Sequence, residues 1–560
     1  MVDYIIVGAG SAGCVLANRL SETPQTHVLL IEAGGPDAKK EIRIPLAWLK
    51  LFKSEFDWDY TTTPQTALGG RRVYWPRGKT IGGSSSINTM MAIPGHRADF
   101  DGWADLGNEG WSFDELAPYF ERVNATLTIQ ELRDPNGLTT AFVEAAVQAG
   151  IPRSRRLGPT DLEGVRLVPV TQRRGRRWSA ADAYLRPALR RPNLTVVTGA
   201  QVTRVLFDGR RAFGVAYRQG GGDKIAHCAR EVILSGGAVN SPQLLLLSGV
   251  GSLDELARHR IEPMHEVPGV GLNLQDHAAA ACFVEALHPT SLYGAETATN
   301  LARYLLLRRG MLTSNAAEAA AFIHSRPGLP APDLELIFAP GLFQNEGLTP
   351  PSGHGFTILA VGLQPLSVGS LGLQSGDPLD KPAIDPGYLS DPRGDDLRVL
   401  TAGLEFARRI VSMPALNQLA GRELAPGAAS LKAHIRDTAQ GLYHPVGTCR
   451  MGSDELAVVD TQLRVRGLDG LRVVDASIMP RIPRGHTNLP TMMVAEKAAD
   501  LICGTERTHP VTRPIDLPLA RDVGDRGLTS HVDGVRNRLA LWSRMDVAKI
   551  GRHARVERNR

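Results

Sequence analysis

Cysteine is scarce in this 560-residue chain, which has five cysteines and no Cys-x-x-Cys pair. We therefore expect no disulfide framework or dithiol motif, but buried thiols in a reducing compartment. The chain also lacks an uninterrupted apolar run of about 20 residues, which excludes a membrane-spanning helix. No group of His, Asp or Glu has metal-site spacing, so no metal is predicted. A strand pattern begins almost at residue 1, so we expect no signal peptide and a cytoplasmic location.

Positive and negative charges are nearly balanced, with 63 Lys+Arg and 58 Asp+Glu. The net charge of +5 lies in residues 505–560, which hold 12 basic and 7 acidic residues. A basic tail is usually solvated, but electrostatic contact with an anionic membrane surface or an acidic redox partner is a second interpretation. It would make the protein peripheral at the inner face of the membrane. The basic clusters at 153–156 and 173–177 lack interleaved aromatics, so no nucleic-acid partner is predicted.

A glycine-rich turn near the N-terminus predicts a dinucleotide site. An apolar run from residue 3 to 7 precedes Gly8, Gly10 and Gly13, and a second apolar run ends at Glu32. Glycines allow close backbone approach to a pyrophosphate at a helix N-terminus, and an acid about 20 residues later can accept hydrogen bonds from a ribose. The motif can also be a structural turn, and it does not by itself distinguish FAD from NAD.

Two histidines near the other end predict proton chemistry. His444 precedes a proline and a Gly-Thr turn, His486 lies in a Gly-His-Thr-Asn segment, and a short strand expected at 471–475 can bring both loops to the end of one sheet. An isolated histidine is more often a satisfied surface or core residue. Two imidazoles on adjacent loops, however, can take a proton and hold an alkoxide, which oxidation of an alcohol requires.

Two further segments, 76–88 and 237–251, are rich in glycine and serine. The first is too small and polar for a core element, and its backbone NH groups can wrap an anion or a ring edge. Together with the N-terminal turn, the Asp475-Ala476 strand end and both histidine loops, these segments resemble the signatures of the glucose-methanol-choline family of FAD-dependent oxidoreductases. The resemblance runs from residue 2 to about 504.

The resemblance and the order of apolar patterns predict an α/β fold. A doubly wound, Rossmann-like FAD-binding domain is expected over 1–280 and 440–504, an inserted α+β substrate domain on an antiparallel sheet over 281–439, and a basic tail over 505–560. Within these, we expect strands at 334–338, 356–361 and 369–373, a helix at 395–411, and a closing helix at 492–502 packed beside the first strand.

The resemblance also implies roles for residues. FAD would be bound non-covalently, because Ile87 occupies the position of the histidine that carries covalent flavin in some members. His444 matches the catalytic base and His486 its partner at the alkoxide, and Thr89 would lie beside the reactive N5 edge. The residues expected to hold FAD are Gly8, Gly10, Ser11, Ala12, Gly13, Glu32, Ala33, Gly78, Gly82, Gly83, Ser84, Asn88, Thr89, Val202, Asp475, Ala476, Asn488 and Pro490.

The implied activity is FAD-dependent oxidation of an alcohol, of the primary class, to an aldehyde or ketone by hydride transfer to flavin N5. The electrons would pass to a quinone or another acceptor that is not oxygen. His486 stands where aliphatic-alcohol dehydrogenases usually have Asn and aryl-alcohol oxidases have His, which leaves the alcohol and the acceptor open. The alternatives are a choline dehydrogenase, an aryl-alcohol oxidase using O2, and a flavin-containing lyase of the hydroxynitrile lyase or fatty acid photodecarboxylase type.

Overall fold

The computed structural model of the chain describes residues 1–505. It contains two seven-stranded sheets and several two-stranded ribbons. The basic tail and its membrane contact were predicted for residues 505–560. Residues 506–560 lie outside the described residues. No helix within 1–505 is long and apolar enough to cross a membrane.

The strands are numbered β1 to β22 in chain order. They are Val2–Val7, Val28–Ile31, Tyr60–Thr61, Tyr74–Trp75, Gly164–Leu167, Gln172–Arg173, Arg176–Arg177, Leu194–Val197, Ala200–Asp208, Arg211–Gln219, Gly222–Leu234, Val250–Gly251, His265–Glu266, Ala278–Ala286, Ala319–Ile323, Leu334–Ala339, Gly355–Gly362, Ser370–Gly372, Ala383–Asp385, Ala420–Ala425, Gln440–Gly441 and Leu471–Val473.

The α-helices are numbered α1 to α13. They are Ser11–Leu20, Lys40–Arg43, Arg97–Asp105, Phe113–Thr126, Gly137–Gln148, Arg186–Ala188, Gly237–Leu247, Leu253–Arg258, Ala298–Leu307, Asp395–Val411, Pro414–Asn417, Leu431–Thr438 and Asn488–Cys503. The predicted helix at 395–411 is confirmed as α10, and the closing helix, α13, begins four residues before its predicted start.

The first sheet has the strand order β8-β2-β1-β11-β10-β9, with β22 also paired to β11. β1 pairs in parallel with β2 and with the end of β11, while the start of β11 runs antiparallel to β10. Tyr4, Ile5 and Ile6 of β1 are buried, because helices and neighbouring strands cover both faces of a central parallel strand. This arrangement, with α1 joining β1 to β2, confirms the predicted Rossmann-like half of the fold.

The second sheet is antiparallel throughout, in the order β20-β14-β17-β16-β15-β5, with β21 paired to β14. Because side chains alternate across a strand, Leu336 and Phe338 of β16 pack toward α5 and α10 while Ile337 faces the other way. The face that carries Ile337 is turned toward a large cavity, so this sheet forms one wall of the site.

The chain divides between the sheets less simply than the predicted boundaries suggest. β5, at Gly164–Leu167, comes from the segment expected in the FAD-binding domain, yet it pairs with β15 in the second sheet. β22 returns the chain to the first sheet, as expected for residues 440–504. The boundaries at 280 and 440 stay a prediction.

Three smaller expectations are corrected. α13 packs on α1 and α4 rather than beside β1, because α1 already occupies the place next to that strand. The strand expected at 369–373 is the short β18, which forms a separate ribbon with β19. Cys503 is exposed, whereas the other four cysteines are buried as predicted.

Candidate active site

A cavity of about 890 Å³ runs from the first glycine turn to the second sheet. Its volume lies in the upper part of the roughly 300–1,000 Å³ range of small-molecule sites. Of the predicted residues, those that line it are Gly8, Gly10, Ser11, Ala12, Glu32, Ala33, Gly78, Gly83, Ser84, Asn88, Thr89, Val202, His444, Asp475, Ala476, His486 and Asn488. Gly13, Gly82 and Pro490 are not among the lining residues.

Glu32 holds the first glycine turn in place. Its Oε2 accepts a hydrogen bond from the Ala9 backbone NH at 2.7 Å, and its Oε1 accepts one from Gly34 NH at 2.8 Å. Burial raises the pKa of Glu32 to about 7, although the two hydrogen bonds act to lower it. Gly13 does not line the cavity but allows α1 to pack closely on the turn, because a Cβ there would lie 1.9 Å from the Gly8 carbonyl oxygen.

The two glycine segments touch each other. Gly82 NH donates to the Ala9 carbonyl oxygen at 2.7 Å. A Cβ added to Gly83, which has φ +52°, would lie 2.7 Å from the Cα of Gly10. This contact brings backbone from residues 10–11 and 83–84 to one wall of the cavity, which is the close approach that a pyrophosphate needs.

Side chains from distant segments tie this wall together. Asp475 Oδ2 accepts from Ser241 Oγ at 2.6 Å and from Gly237 NH at 2.8 Å. Ser11 Oγ donates to Asn488 Oδ1 at 2.7 Å. Because these oxygens already have protein partners, any contact of Asp475 or Asn488 with a cofactor would come from backbone groups or from the Asn488 amide NH2.

At the opposite end of the cavity, a buried arginine orients Asn88. Arg177 Nη1 donates to Asn88 Oδ1 at 2.7 Å, and burial lowers the pKa of Arg177 to about 9. Asn315 Nδ2 donates to the carbonyl oxygen of Thr89 at 2.9 Å. The amide NH2 of Asn88 is therefore the group left to face a bound ring.

Three histidines, rather than the predicted two, lie together beyond Thr89. The His444 and His486 ring centroids are 4.7 Å apart, and His277 Nδ1 lies 3.0 Å from His444 Nδ1. The His444 backbone NH donates to Asp276 Oδ1 at 2.7 Å, and Tyr443 turns the chain with φ +64°. We missed His277, although an Asp-His pair just before an apolar strand was a usable signal.

A carboxylate supports His486. Glu335 Oε1 lies 3.2 Å from His486 Nε2, and Glu335 is fully buried on the cavity face of β16, together with Ile337. Its Oε2 has no hydrogen-bond partner among the described residues. We also missed Glu335, whose signal was an acid within the apolar run Leu334–Ala339.

The histidine cluster is arranged to stay neutral at His444 and His277. Burial, with the nearby His486, His277 and Arg77, holds the pKa of His444 well below its usual range. Burial also lowers the pKa of His277 to about 3, with His486 acting in the same direction and the carbonyl groups of Leu363 and Pro483 opposing it. A neutral imidazole at the cavity wall is a proton acceptor.

The fold agrees with comparisons to known proteins. Family models described as GMC oxidoreductase match residues 2–279 and 365–495. The chain belongs to the GMC oxidoreductase family, and FAD is its cofactor. The family resemblance predicted from the sequence is therefore confirmed, while the roles of the single residues stay a prediction.

Several relatives align over nearly the whole described chain. An uncharacterized GMC-type oxidoreductase of Mycobacterium tuberculosis is 48% identical over 89% of this chain and 99% of its own length. The alcohol dehydrogenase [acceptor] of Pseudomonas putida is 43% identical over 90% and 96%, and human mitochondrial choline dehydrogenase is 40% identical over 93% of each. The crystal structure of pyridoxine 4-oxidase from Mesorbium loti aligns with a TM-score of 0.82 and 32% identity, covering 90% of this chain and all of that one.

We predict that FAD is released by acid precipitation. Ile87 is buried at the cavity wall and its hydrocarbon side chain has no nucleophile that could bond to the flavin. The supernatant should therefore be yellow and the protein pellet colourless. Yellow colour that stays in the washed pellet would show a covalent bond to another residue.

Proposed function

We propose that the chain oxidises a primary alcohol to an aldehyde and passes the electrons to a quinone or another acceptor that is not oxygen. The observation that carries this proposal is the position of His444 at the cavity wall, 4.7 Å between ring centroids from a second histidine that is paired with a buried carboxylate. One group can take the hydroxyl proton while the other donates to the alkoxide.

We propose His444 Nε2 as the proton acceptor. His277 and His444 share one proton between their Nδ1 atoms, and His277 Nε2 has no hydrogen-bond partner among the described residues, so either ring can carry that proton. We propose that His444 carries it. His277 Nδ1 then accepts from His444 Nδ1–H at 3.0 Å. The lone pair of His444 is left on Nε2, where it can remove the proton of a bound hydroxyl group.

Glu335 orients the ring of His486. The carboxylate favours a proton on His486 Nε2, since Oε1 can accept it at 3.2 Å. Two adjacent imidazoles disfavour charging both, so one of them stays neutral and available to take a proton. When bound, FAD supplies the acceptor for the hydride of the alcohol carbon and for onward electron transfer.

Aromatic rings near the cavity's outer end favour an apolar alcohol. Trp48 contacts Phe52 and Phe343 with centroid distances of 5.2 and 5.8 Å, and all three line the cavity. This ring set was not predicted, and rings of this kind can also hold a quaternary ammonium group. Lys50 lies at the same end and is paired with Glu296 at 2.6 Å, so the Glu296 carboxylate is already compensated. Choline therefore remains the second candidate.

Anaerobic bleaching of the flavin tests the proposal whatever the natural acceptor is. We expect aliphatic or aryl primary alcohols to bleach it, and the reduced protein to be reoxidised quickly by a quinone or dye and slowly by oxygen. Bleaching by choline alone would support the second candidate, and fast reaction with oxygen to form peroxide would make the protein an oxidase. If no alcohol bleaches the flavin, a lyase becomes the better interpretation.

The rate of flavin reduction should be insensitive to pH over the neutral range. Burial and the neighbouring positive groups lower the pKa of His444 well below its usual 6.5, so its neutral form persists as the pH falls through that value. Stopped-flow reduction by a saturating alcohol should remain constant from pH 8 to 6 and decline only at more acidic pH. A limb with an apparent pKa at or above 6.5 would contradict this assignment.

Replacing His486 with asparagine should be a mild change. The asparagine amide can still donate a hydrogen bond to the alkoxide, so we expect flavin reduction to slow by about tenfold. Glu335→Gln is the companion variant, because it keeps the shape of the carboxylate but removes its charge. A loss at His486→Asn as large as that of His444→Ala would assign the base to His486.

A further inference from the structure

Helix α9, Ala298–Leu307, exposes a cluster of leucines to solvent. The exposed fractions are 41% for Leu301, 52% for Leu305, 65% for Leu306 and 63% for Leu307. Tyr304 is the buried residue of this helix, with 1% exposure. A surface helix normally turns its apolar side chains toward the core. Helix α9 instead turns these four leucines toward solvent.

The leucines form a stripe with arginine at its edges. At about 100° per residue, Leu301, Leu305 and Leu306 lie roughly 60°, 100° and 160° from Tyr304 around the helix, with no charged residue between them, while Leu307 lies outside this stripe. Arg303 borders the stripe on one side and Arg308 on the other. This pattern is typical of helices that lie in the plane of a membrane surface.

A neighbouring hairpin enlarges the positive charge at this end of α9. Its turn packs on the helix, since a Cβ at Gly175 would lie 2.8 Å from the carbonyl oxygen of Arg308. The exposed arginines of this surface are Arg173, Arg174, Arg176, Arg303 and Arg309, with Arg308 half-buried. Arg309 pairs with Asp134 at 3.1 Å, and none of the other five forms an ion pair with a described residue.

We propose that α9 and the hairpin of β6 and β7 dock on an anionic lipid surface. The leucines would enter the boundary between headgroups and acyl chains, and the arginines would contact the lipid phosphates. Charge complementarity selects this occupant. The tail of the same chain carries 12 basic against 7 acidic residues beyond Gly504 and would be repelled, and a second copy would bring another set of arginines.

Helix α9 lies next to residues that line the cavity, so docking would affect how small molecules reach the cavity. Residues 292–296 line the cavity and lead directly into the helix, and Tyr293 among them is 43% exposed. Docking would therefore place an opening of the cavity near the membrane. Entry of an apolar alcohol or quinone from lipid rests on the proposed function, whereas the docking itself does not.

Sedimentation with vesicles tests the docking on the full chain loaded with FAD. The vesicles are phosphatidylcholine with and without phosphatidylglycerol, at low salt. We expect binding to the anionic vesicles that weakens with salt. The variant Leu305→Glu/Leu306→Glu should lower the partition coefficient at least about tenfold, because two exposed leucines no longer leave water.

The matched control is Leu189→Glu/Leu456→Glu, which changes two exposed leucines and the same net charge elsewhere on the surface. It should bind vesicles nearly as wild type does, and both variants should keep their FAD content and dye-linked turnover. Equal binding by the two variants would overturn the proposal and leave the tail as the lipid contact. If the α9 variant instead changes the sedimentation coefficient of the free protein without changing vesicle binding, a second copy covers the helix and the proposal is also wrong.

Discussion

Replacement of His444 by alanine is expected to slow flavin reduction by about 10²-fold or more while FAD remains bound. His444 Nε2 is the nitrogen that we propose to take the proton of the alcohol, since Nδ1 faces His277 at 3.0 Å. Alanine removes this base, and a water molecule in its place is a far weaker one. The measurement is anaerobic stopped-flow reduction with a saturating alcohol, accompanied by the flavin content of the purified variant.

His27→Ala is a suitable control, because this histidine lies on the surface with 61% side-chain exposure. It should reduce its flavin at the wild-type rate. If His444→Ala retains a rate within tenfold of wild type, His444 is not the base. If instead it loses FAD, the residue supports the cavity and the kinetic result cannot be assigned to proton transfer.

Replacement of Gly83 by alanine should weaken FAD binding by about 10²-fold or more. A Cβ at this position would lie 2.7 Å from the Cα of Gly10, closer than real Cβ contacts, and backbone on both sides cannot swing away as a flexible side chain can. The two glycine segments would have to separate, which opens the wall that a pyrophosphate must approach. Equilibrium dialysis of the apoprotein with FAD measures the effect.

Gly69→Ala separates this steric effect from backbone strain. Gly69 has φ +65°, in the same left-handed region as Gly83, but a Cβ there would meet nothing within 4 Å. The strain of that conformation costs roughly 1–2 kcal/mol, so the control should be slightly less stable to heat and bind FAD normally. Equal loss of FAD in both variants would show that strain, and not the contact with Gly10, explains the Gly83 result.

Several features of the molecule could be predicted without its coordinates because they depend on neighbours in the chain. The turn from β1 into α1 needs glycine at residues 8, 10 and 13, and a strand run before it and an acid after it follow at short range. α10 could be placed at Asp395–Val411 from its periodic apolar pattern. The histidines at 444 and 486 were found because each lies in a loop of recognisable turn residues.

The parts that were missed depend on contacts between distant segments. Glu335 is separated from His486 by 151 residues, and only the pairing of β16 within the second sheet turns its carboxylate toward that ring. His277 meets His444 across 167 residues. Local patterns carry no information on such separations, so the sequence could mark His277 and Glu335 as unusual local residues but not as partners of His444 and His486.

The sequence by itself determined the class of fold and the pair of histidines, because turns, strand periodicity and helix starts are set by adjacent residues, and its resemblance to a known family implied FAD as the cofactor. The tertiary structure decided which groups surround these two histidines, since only the folded chain brings His277 to His444 and Glu335 to His486. It also decided that α9 turns its leucines outward. The apolar residues of that helix are visible in the sequence, but the direction they face depends on where Tyr304 is anchored.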